Sequence, residues 1–395
     1  MTAMRVVHLI KDLDPAAGGP PVVAARLAAA QAREGCEVSI LCYETAESAP
    51  RAKALMAETP GGDGVSIEAV GSPGRLERLV GRSMAGRLRA LVESKGVDVV
   101  HTHGMWEPML PACAAVARRR VVPYVVTPHG MLDPYTLSVK PTKKRIALAT
   151  THRNYLRRAA FVHMLNADEA TLAEPVLHGT PTRVIPNGIF LEELDDTPPA
   201  GTFRAAHPEL GERPYILFLS RLAHKKGLDY LADAFAMLHE RLPGVDLVVA
   251  GPDDGQRAPF ERAVARHGVG DRVHVVGPQY GVDKLAALRD AAVFCLPSRQ
   301  EGFSIAITEA LAMGLPVVIT RACHYPEVSE VGAGVETDLD AKQVADALER
   351  VLGDPGEASR MGNAGRTLVR ERFTWPSVAR LAIERYDEVI GGATA

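Results

Sequence analysis

A chain of 395 residues, 47% hydrophobic and 24% charged, has ordinary globular composition and is long enough for two domains of typical size. Its formal net charge of −3 argues against a dominant nucleic-acid surface, and no apolar run approaches the roughly 20 residues of a membrane span. Cys36, Cys42, Cys113, Cys295 and Cys323 are odd in number and scattered, which suits reduced core thiols better than a disulfide framework or a metal site.

The N-terminal MTAMRVVHLIKDLDP carries an apolar run too short for a secretory signal, and a cytoplasmic location is expected. Residues 4–10 read as a buried parallel strand. A loop with Gly18-Gly19-Pro20-Pro21 follows, then an Ala-rich helix over 22–34 closed by Gly35, then a strand over 37–43. This is a βαβ unit, whose ligand crevice lies at the carboxyl end of the first strand. It lacks GxGxxG, so a nicotinamide cofactor gets no support. The glycine pair either lets a ligand approach the backbone or simply serves a turn. Asp12/Asp14 and Asp338/Asp340 have DxD spacing, but no further hard ligand lies near either pair, and no metal is expected.

Residues 46–64 read as a loop with a short helix, 65–70 as a strand, and 75–95 as a basic helical stretch. A strand over 97–100 leads to His101-Thr102-His103-Gly104-Met105-Trp106, and one over 123–126 leads to Thr127-Pro128-His129-Gly130. Both loops lie on the side where open α/β sheets bind ligands. His101 and His103 would share one strand face, but zinc would need a third ligand and none is evident; His101 reads as a structural loop histidine bonded to backbone. Residues 140–158 read as a helix bearing Lys143, Lys144, Arg145, Arg153, Arg157 and Arg158. That composition suits either a solvated face or the anionic inner face of a membrane. After a strand over 161–164 and a helix over 167–174, the turn Pro186-Asn187-Gly188-Ile189 precedes an acidic, Pro-rich segment, 190–213, read as a linker.

A second domain starts at Pro214. A strand over 215–219 runs into Ser220-Arg221-Leu222-Ala223-His224-Lys225-Lys226-Gly227 and a helix over 228–241, a strand–basic loop–helix arrangement in the form of an anion site. A strand over 245–250 ends in Gly251-Pro252-Asp253-Asp254-Gly255, and a strand over 272–276 and a helix over 282–290 follow. A short strand, 293–296, enters PSRQEGFSIAITEALAMGLP, where Ser304 is a plausible N-cap and Gly314 with Pro316 stops the helix. Glu301 and Glu309 stand eight apart at and inside this helix start. Unpaired amides there favour an anion, while carboxylates accept hydrogen bonds from hydroxyls. A nucleotide sugar offers both a diphosphate and hydroxyl-rich rings; two ordinary surface acids are the plain reading of the glutamates taken alone. The chain closes with a strand over 316–319 and helices over 340–352, 357–372 and 376–390.

Glu301-Gly302-Phe303 with Glu309, flanked by Pro297-Ser298 and by 312–318, resembles the E-x7-E motif of retaining glycosyltransferases of the GT-B fold, family 4 (glycosyl transferases group 1). The R-x4-K-G of Arg221–Lys226–Gly227, the AG.G-like loop at Gly251, the T-x-H of His129 and Pro186-Asn187-Gly188-Ile189 are similar to the same family. The resemblance implies an α/β fold of two Rossmann-like doubly wound domains facing across a cleft, with the C-terminal helix crossing back. It implies an acceptor-binding domain over 1–188, a linker over 189–213, a nucleotide-sugar domain over 214–372 and a helix over 373–395 that packs on the first domain.

In this reading Arg221 and Lys226 hold the diphosphate, with Gly18 and Gly19 nearby. Glu301 orients sugar hydroxyls and Glu309 binds the ribose. Phe303, Ser304 and Ile305 complete the donor site. His129 meets the sugar near the reacting carbon; His103 shares that contact or, with Trp106, meets the acceptor. The reaction expected is transfer from a UDP- or GDP-linked sugar to a hydroxyl with retention, in cell-surface polysaccharide or glycolipid assembly, with no cofactor and no metal. A glycan or lipid-linked acceptor is the expected partner, with the basic 140–158 helix on the inner leaflet. Rival readings are a nucleotide-sugar 2-epimerase, a pyridoxal-phosphate glycan phosphorylase, which needs a longer chain, and a non-catalytic two-domain sugar-binding protein.

Overall fold

The computed structural model describes residues 3–392; the ends of the expected first domain and last helix, residues 1–2 and 393–395, lie outside the described residues. The chain divides into two compact units, Met1–Asn187 with Trp375–Ala395, and Gly188–Thr374.

The first unit is built on seven parallel strands: β1 (Arg5–Asp12), β2 (Glu37–Tyr43), β3 (Val65–Val70), β4 (Val99–His103), β5 (Tyr124–Thr127), β6 (Phe161–Met164) and β7 (Thr182–Val184). Their order is β3-β2-β1-β4-β5-β6-β7. β4 and β5 are buried along their whole length, as expected where helices cover both faces of a parallel sheet. The order reverses between β1 and β4, so this unit's crevice opens where Asp12 and His103 end their strands.

The second unit repeats the plan with β8 (Tyr215–Leu219), β9 (Asp246–Ala250), β10 (Val273–Gly277), β11 (Val293–Leu296), β12 (Val317–Thr320) and β13 (Gly334–Thr337), ordered β10-β9-β8-β11-β12-β13. Its reversal lies between β8 and β11. The loops leaving these two strands are pressed together at Gly227: a Cβ there would lie 1.8 Å from the Pro297 carbonyl oxygen, and φ is +70°. Only glycine permits both the left-handed turn and the close approach.

Several elements differ from the sequence expectation, each for a local reason. The first helix spans Gly19–Arg33, starting earlier than 22, because Pro20 and Pro21 fit a first turn that needs no N–H. The segment expected as mostly loop holds the helix Ser48–Glu58. Thr45 and Ser48 exchange side-chain-to-amide hydrogen bonds at 2.9 and 3.0 Å, a reciprocal cap of the capping-box kind. The stretch 75–95 breaks into Glu77–Val80 and Arg82–Lys95 at Gly81, whose φ is +61° and whose Cβ would strike the Met109 backbone. Residues 140–158 form two helices, Pro141–Ala147 and Arg153–Arg157, joined by a π-turn over Leu148–His152.

Residues 190–213 are not a free linker. They belong to the second unit, where the Asp290 carboxylate accepts from the amides of Gly201 at 2.7 Å and Phe203 at 3.0 Å. This caps the helix Thr202–Ala206 and seats Phe203 and Leu210 in the core. The last helix, Trp375–Gly392, belongs to the first unit. It packs on Gly19–Arg33 and is pinned at the surface by Arg380 to Glu34, 2.8 Å.

Candidate functional site

The loops after β8 and β11 carry the charged cluster of the second unit. Gly227 seats the first loop on Pro297, and this brings Lys226 against Glu301: Nζ to Oε1 is 2.6 Å, with both residues buried. Ser298 donates its hydroxyl to the same oxygen at 2.6 Å, and Thr320 holds the Ser298 carbonyl at 2.5 Å. A buried pair of this kind stands because each charge compensates the other; loss of one partner strands a charge at a cost of about 3–5 kcal/mol.

The helix Ile305–Ala312 begins four residues after Glu301. Ser304 occupies its N-cap position, but its side chain makes no capping bond, so the hydroxyl does not occupy a first-turn amide. Glu309 is buried and paired to Lys284, Nζ to Oε1 2.5 Å. Arg221 reaches outward, with its side chain 58% exposed and loosely paired to Asp254 at 2.9 Å. Phe303 packs inward on Tyr325 and Phe373, with ring centroids 5.3 and 5.8 Å away; its side chain supports the loop. The site therefore offers two cations, a helix start whose N-cap side chain makes no capping bond, and two carboxylates each held by a lysine. That set can take a diphosphate and hydroxyl groups together.

In the first unit, Gly18 takes φ +114° as the N-cap of Gly19–Arg33, and a Cβ on Gly18 or Gly19 would meet nothing within 4 Å. Packing alone therefore does not demand glycine at 19. His129 is half-buried and sits at φ +52°, a left-handed conformation uncommon outside glycine, though His tolerates it better than most. The next amide, Gly130 N–H, donates to Glu169 Oε1 at 2.7 Å, and Leu165 N–H donates to Glu169 Oε2 at 2.6 Å. One buried carboxylate thus ties the His129 loop to the end of β6. Asn166-x-x-Glu169 is a helix-start signature that would have flagged this residue in the sequence.

His103 is not on an accessible surface. It is 2% exposed and hydrogen-bonds behind His129, Nδ1 to Nε2 3.0 Å, so it does not face an acceptor. His101 is a strand residue, not a loop one, and its ring bonds to Tyr386 and Thr127 side chains at 2.6 and 2.5 Å. The third histidine that seemed lacking is His8, paired in register with His101 across β1 and β4. His8, His101 and His103 each bring a ring nitrogen within 4.8 Å of the others. All six ring nitrogens already have hydrogen-bond partners, which accounts for the cluster as a polar network.

Burial holds these rings neutral: it lowers His8 to about 4 and His163 to about 4, His129 to about 3, and His101 and His103 well below the usual value.

Trp106 is half-buried, with Lys144 Nζ 5.5 Å from its ring centre, and its indole nitrogen is buried without a hydrogen-bond partner. A cavity of about 320 Å3 lies at the carboxyl ends of β1 and β2, lined by Lys11, Asp12, Tyr43, Glu77 and Glu107 among others. Tyr43 donates to Glu77 at 2.6 Å there. Both DxD pairs have local work: Asp14 caps a turn and pairs with Arg51 at 2.5 Å, Asp338 pairs with Arg321 at 2.6 Å, and Asp340 caps Ala341–Gly353. All five cysteines are free thiols, four of them buried. Burial pushes Cys36 up to about 11 and Cys42 up to about 12.

Two doubly wound units, the second with cations and carboxylates gathered at its point of strand reversal, make up the plan of the GT-B fold. Residues 200–368 match the family model of glycosyl transferases group 1, and residues 18–188 match that of a glycosyl transferase 4-like domain. The chain is 30% identical to the D-inositol 3-phosphate glycosyltransferase of Xylanimonas cellulosilytica, over 94% of this chain and 91% of that one. A match of 36% identity to the MMP alpha-(1->4)-mannosyltransferase of Mycolicibacterium hassiacum covers 43% of this chain and 42% of that protein. In fold, an Anabaena protein solved in complex with UDP superposes with TM-score 0.76 at 20% identity, over 98% of this chain and 100% of that one. The chain belongs to the group 1 glycosyltransferases.

Proposed function

We propose that the protein transfers a sugar from a nucleotide-diphospho-sugar to an acceptor hydroxyl with retention at the anomeric carbon, without a metal or cofactor. The observation that carries this reading is the Lys226–Glu301 pair at 2.6 Å, set beside the start of Ile305–Ala312. Lysine has three N–H donors, so Lys226 can keep Glu301 and still bind a phosphate oxygen. Arg221, exposed on the same loop, swings to the second phosphate. Negative charge that develops on the leaving diphosphate is met by these cations and by the first-turn amides.

Glu301, engaged by Lys226 and Ser298, orients sugar hydroxyls and is not assigned as a nucleophile. This separates the site from retaining glycosidases, whose two carboxylates flank the bond. The leaving phosphate oxygen takes the acceptor proton. Glu309 holds the ribose, and His129 meets the sugar. The cavity at the ends of β1 and β2 offers a hydroxyl-bearing acceptor Asp12, Glu77 and Glu107 as hydrogen-bond acceptors and Lys11 as a donor, set among Pro73, Pro108 and Met109.

Relatives named for GDP-mannose-dependent mannosyl transfer make GDP-mannose the first donor to try, beside UDP-glucose, which is bound in a structural neighbour. Incubation with each donor and candidate polyol or glycolipid acceptors, followed by NMR of the product's anomeric proton, tests the reading. Retained configuration supports it. Inverted product, or an epimerised donor in the absence of acceptor, overturns it.

Attachment to an anionic membrane is part of the proposal. Leu76 and Leu79 are 72% and 70% exposed among the exposed Arg75, Arg78 and Arg82, and Ile146 is 59% exposed beside the exposed Lys143 and Arg145. Apolar side chains set among cations are the composition of an interfacial anchor.

A further inference from the structure

A chain of hydrogen bonds runs through the first unit from the Ile185 carbonyl to His129. His163 Nε2 lies 2.6 Å from Ile185 O, and His163 Nδ1 lies 3.4 Å from His101 Nε2. His101 Nδ1 meets Tyr386 Oη at 2.6 Å, and Gln31 Nε2 donates to Tyr386 Oη at 3.1 Å. Gln31 Oε1 meets His8 Nε2 at 2.7 Å, His8 Nδ1 meets His103 Nε2 at 2.8 Å, and His103 Nδ1 meets His129 Nε2 at 3.0 Å. Every member before His129 is 2% exposed or less, so water does not share these bonds.

A carbonyl oxygen can only accept, and a neutral imidazole carries one N–H. The Ile185 end therefore fixes the whole sequence. His163 donates through Nε2 and leaves Nδ1 bare. Bare Nδ1 faces His101 Nε2–H, which also donates to Thr127. Bare His101 Nδ1 takes the Tyr386 O–H, and Tyr386 accepts from the Gln31 N–H. Gln31 Oε1 accepts His8 Nε2–H. Bare His8 Nδ1 takes His103 Nε2–H, and bare His103 Nδ1 takes His129 Nε2–H. The reverse direction would set two bare nitrogens, His163 Nδ1 and His101 Nε2, against each other.

We propose that His8, Gln31, His103 and Tyr386 are positioning residues that lock His129 as its Nε2–H tautomer, so that its Nδ1 stands as a hydrogen-bond acceptor for a hydroxyl of the reacting partners. Tyr386 lies on the last helix and Gln31 on the first, so the docking of those two helices sets the state of a ring on a loop far along the chain. Burial, which keeps each ring neutral, is what allows the relay to carry one direction. The functional consequence rests on the reading that His129 meets the sugar; the tautomer itself does not.

Long-range 1H–15N correlation spectra of the full chain at pH 7.5, with His129 assigned through His129→Gln, read the tautomer directly. The wild-type ring is expected to be protonated at Nε2 and bare at Nδ1; protonation at Nδ1 overturns the proposal without any variant. Tyr386→Phe removes a single hydroxyl and with it the tie between the two halves of the relay. It is expected to give a mixed His129 tautomer and a fall of about fivefold in kcat, the worth of one hydrogen bond, with the KM for the sugar donor unchanged. Gln31→Leu does the same, whereas Gln31→Glu, which still accepts His8 Nε2–H, restores the single tautomer. An unchanged His129 spectrum in both Tyr386→Phe and Gln31→Leu refutes the relay. An Nε2–H His129 whose replacement leaves kcat intact refutes the sugar contact instead.

Discussion

Lowering the pH should weaken the first unit well before its carboxylates titrate. His8 and His163 are buried, at 0% and 2% exposure, and burial lowers each from 6.5 to about 4. The unfolded chain therefore binds more protons than the folded one between pH 6.5 and 4. Stability contributed by the neutral rings is full above pH 6.5 and is lost as pH falls toward 4. At pH 5.5 an unfolded histidine is mostly charged while either folded ring is neutral, a difference of about 1.4 kcal/mol each and about 3 kcal/mol for the two. His101, His103 and His129, shifted in the same direction, add to it. Against a domain stability of about 5–15 kcal/mol the loss is large. Urea unfolding followed by hydrogen exchange resolves the two units separately. The first unit's midpoint should fall steeply from pH 7.5 to 5.5. A midpoint that is flat over that range means that the rings are already charged or that water reaches them, and the network described above is then wrong.

Other consequences are more local. Lys226→Ala should lower kcat/KM by about 100-fold or more, the usual loss when a preorganised charge at a leaving group is removed, and Glu301→Ala should do likewise; steady-state rates near wild type in both would contradict their roles. Lys284→Ala frees Glu309 and should raise the KM for the sugar donor with kcat held within about twofold; an unchanged KM would detach Lys284 from the donor site. Gly227→Ala forces a Cβ to 1.8 Å from the Pro297 oxygen at a positive φ and should cost more than about 1 kcal/mol, seen as a lower melting temperature and weakened nucleotide protection; an unaltered melting curve would mean that the two loops are not pressed together. Sedimentation with anionic vesicles at low salt should carry the wild-type protein down and leave a Leu76→Ser/Leu79→Ser variant in solution; equal partition of both removes the membrane anchor.

What could be read in advance was what the chain encodes locally. The strand–loop–helix grammar of both units, the loop of Lys226 and Gly227 and the turn before Ile305 each depend on neighbours within about ten positions. Glycine's dihedral freedom, helix-stop signals and apolar runs announce them. The segment 190–213 misled because its partner, Asp290, stands 89 positions from the Gly201 amide that it caps; acidic, Pro-rich composition describes a linker and a tied-down strap equally well. The histidines show the same limit more sharply. His101 and His103 advertise themselves by spacing, but His8 lies in an apolar strand with no such mark. Only the parallel register of β1 on β4 sets it opposite His101, and only the return of the last helix brings Tyr386 to His101 directly and to His8 through Gln31. The Lys226–Glu301 site of the second unit and the histidine network of the first thus handle buried polarity in opposite ways. In the second, Lys226 and Glu301 are charged and compensate each other across 2.6 Å. In the first, the rings are kept neutral, and direction, not charge, is what the network transmits. On the proposed reading a phosphate is met by the former and a hydroxyl by the latter, a division of labour consistent with the desolvation of each site.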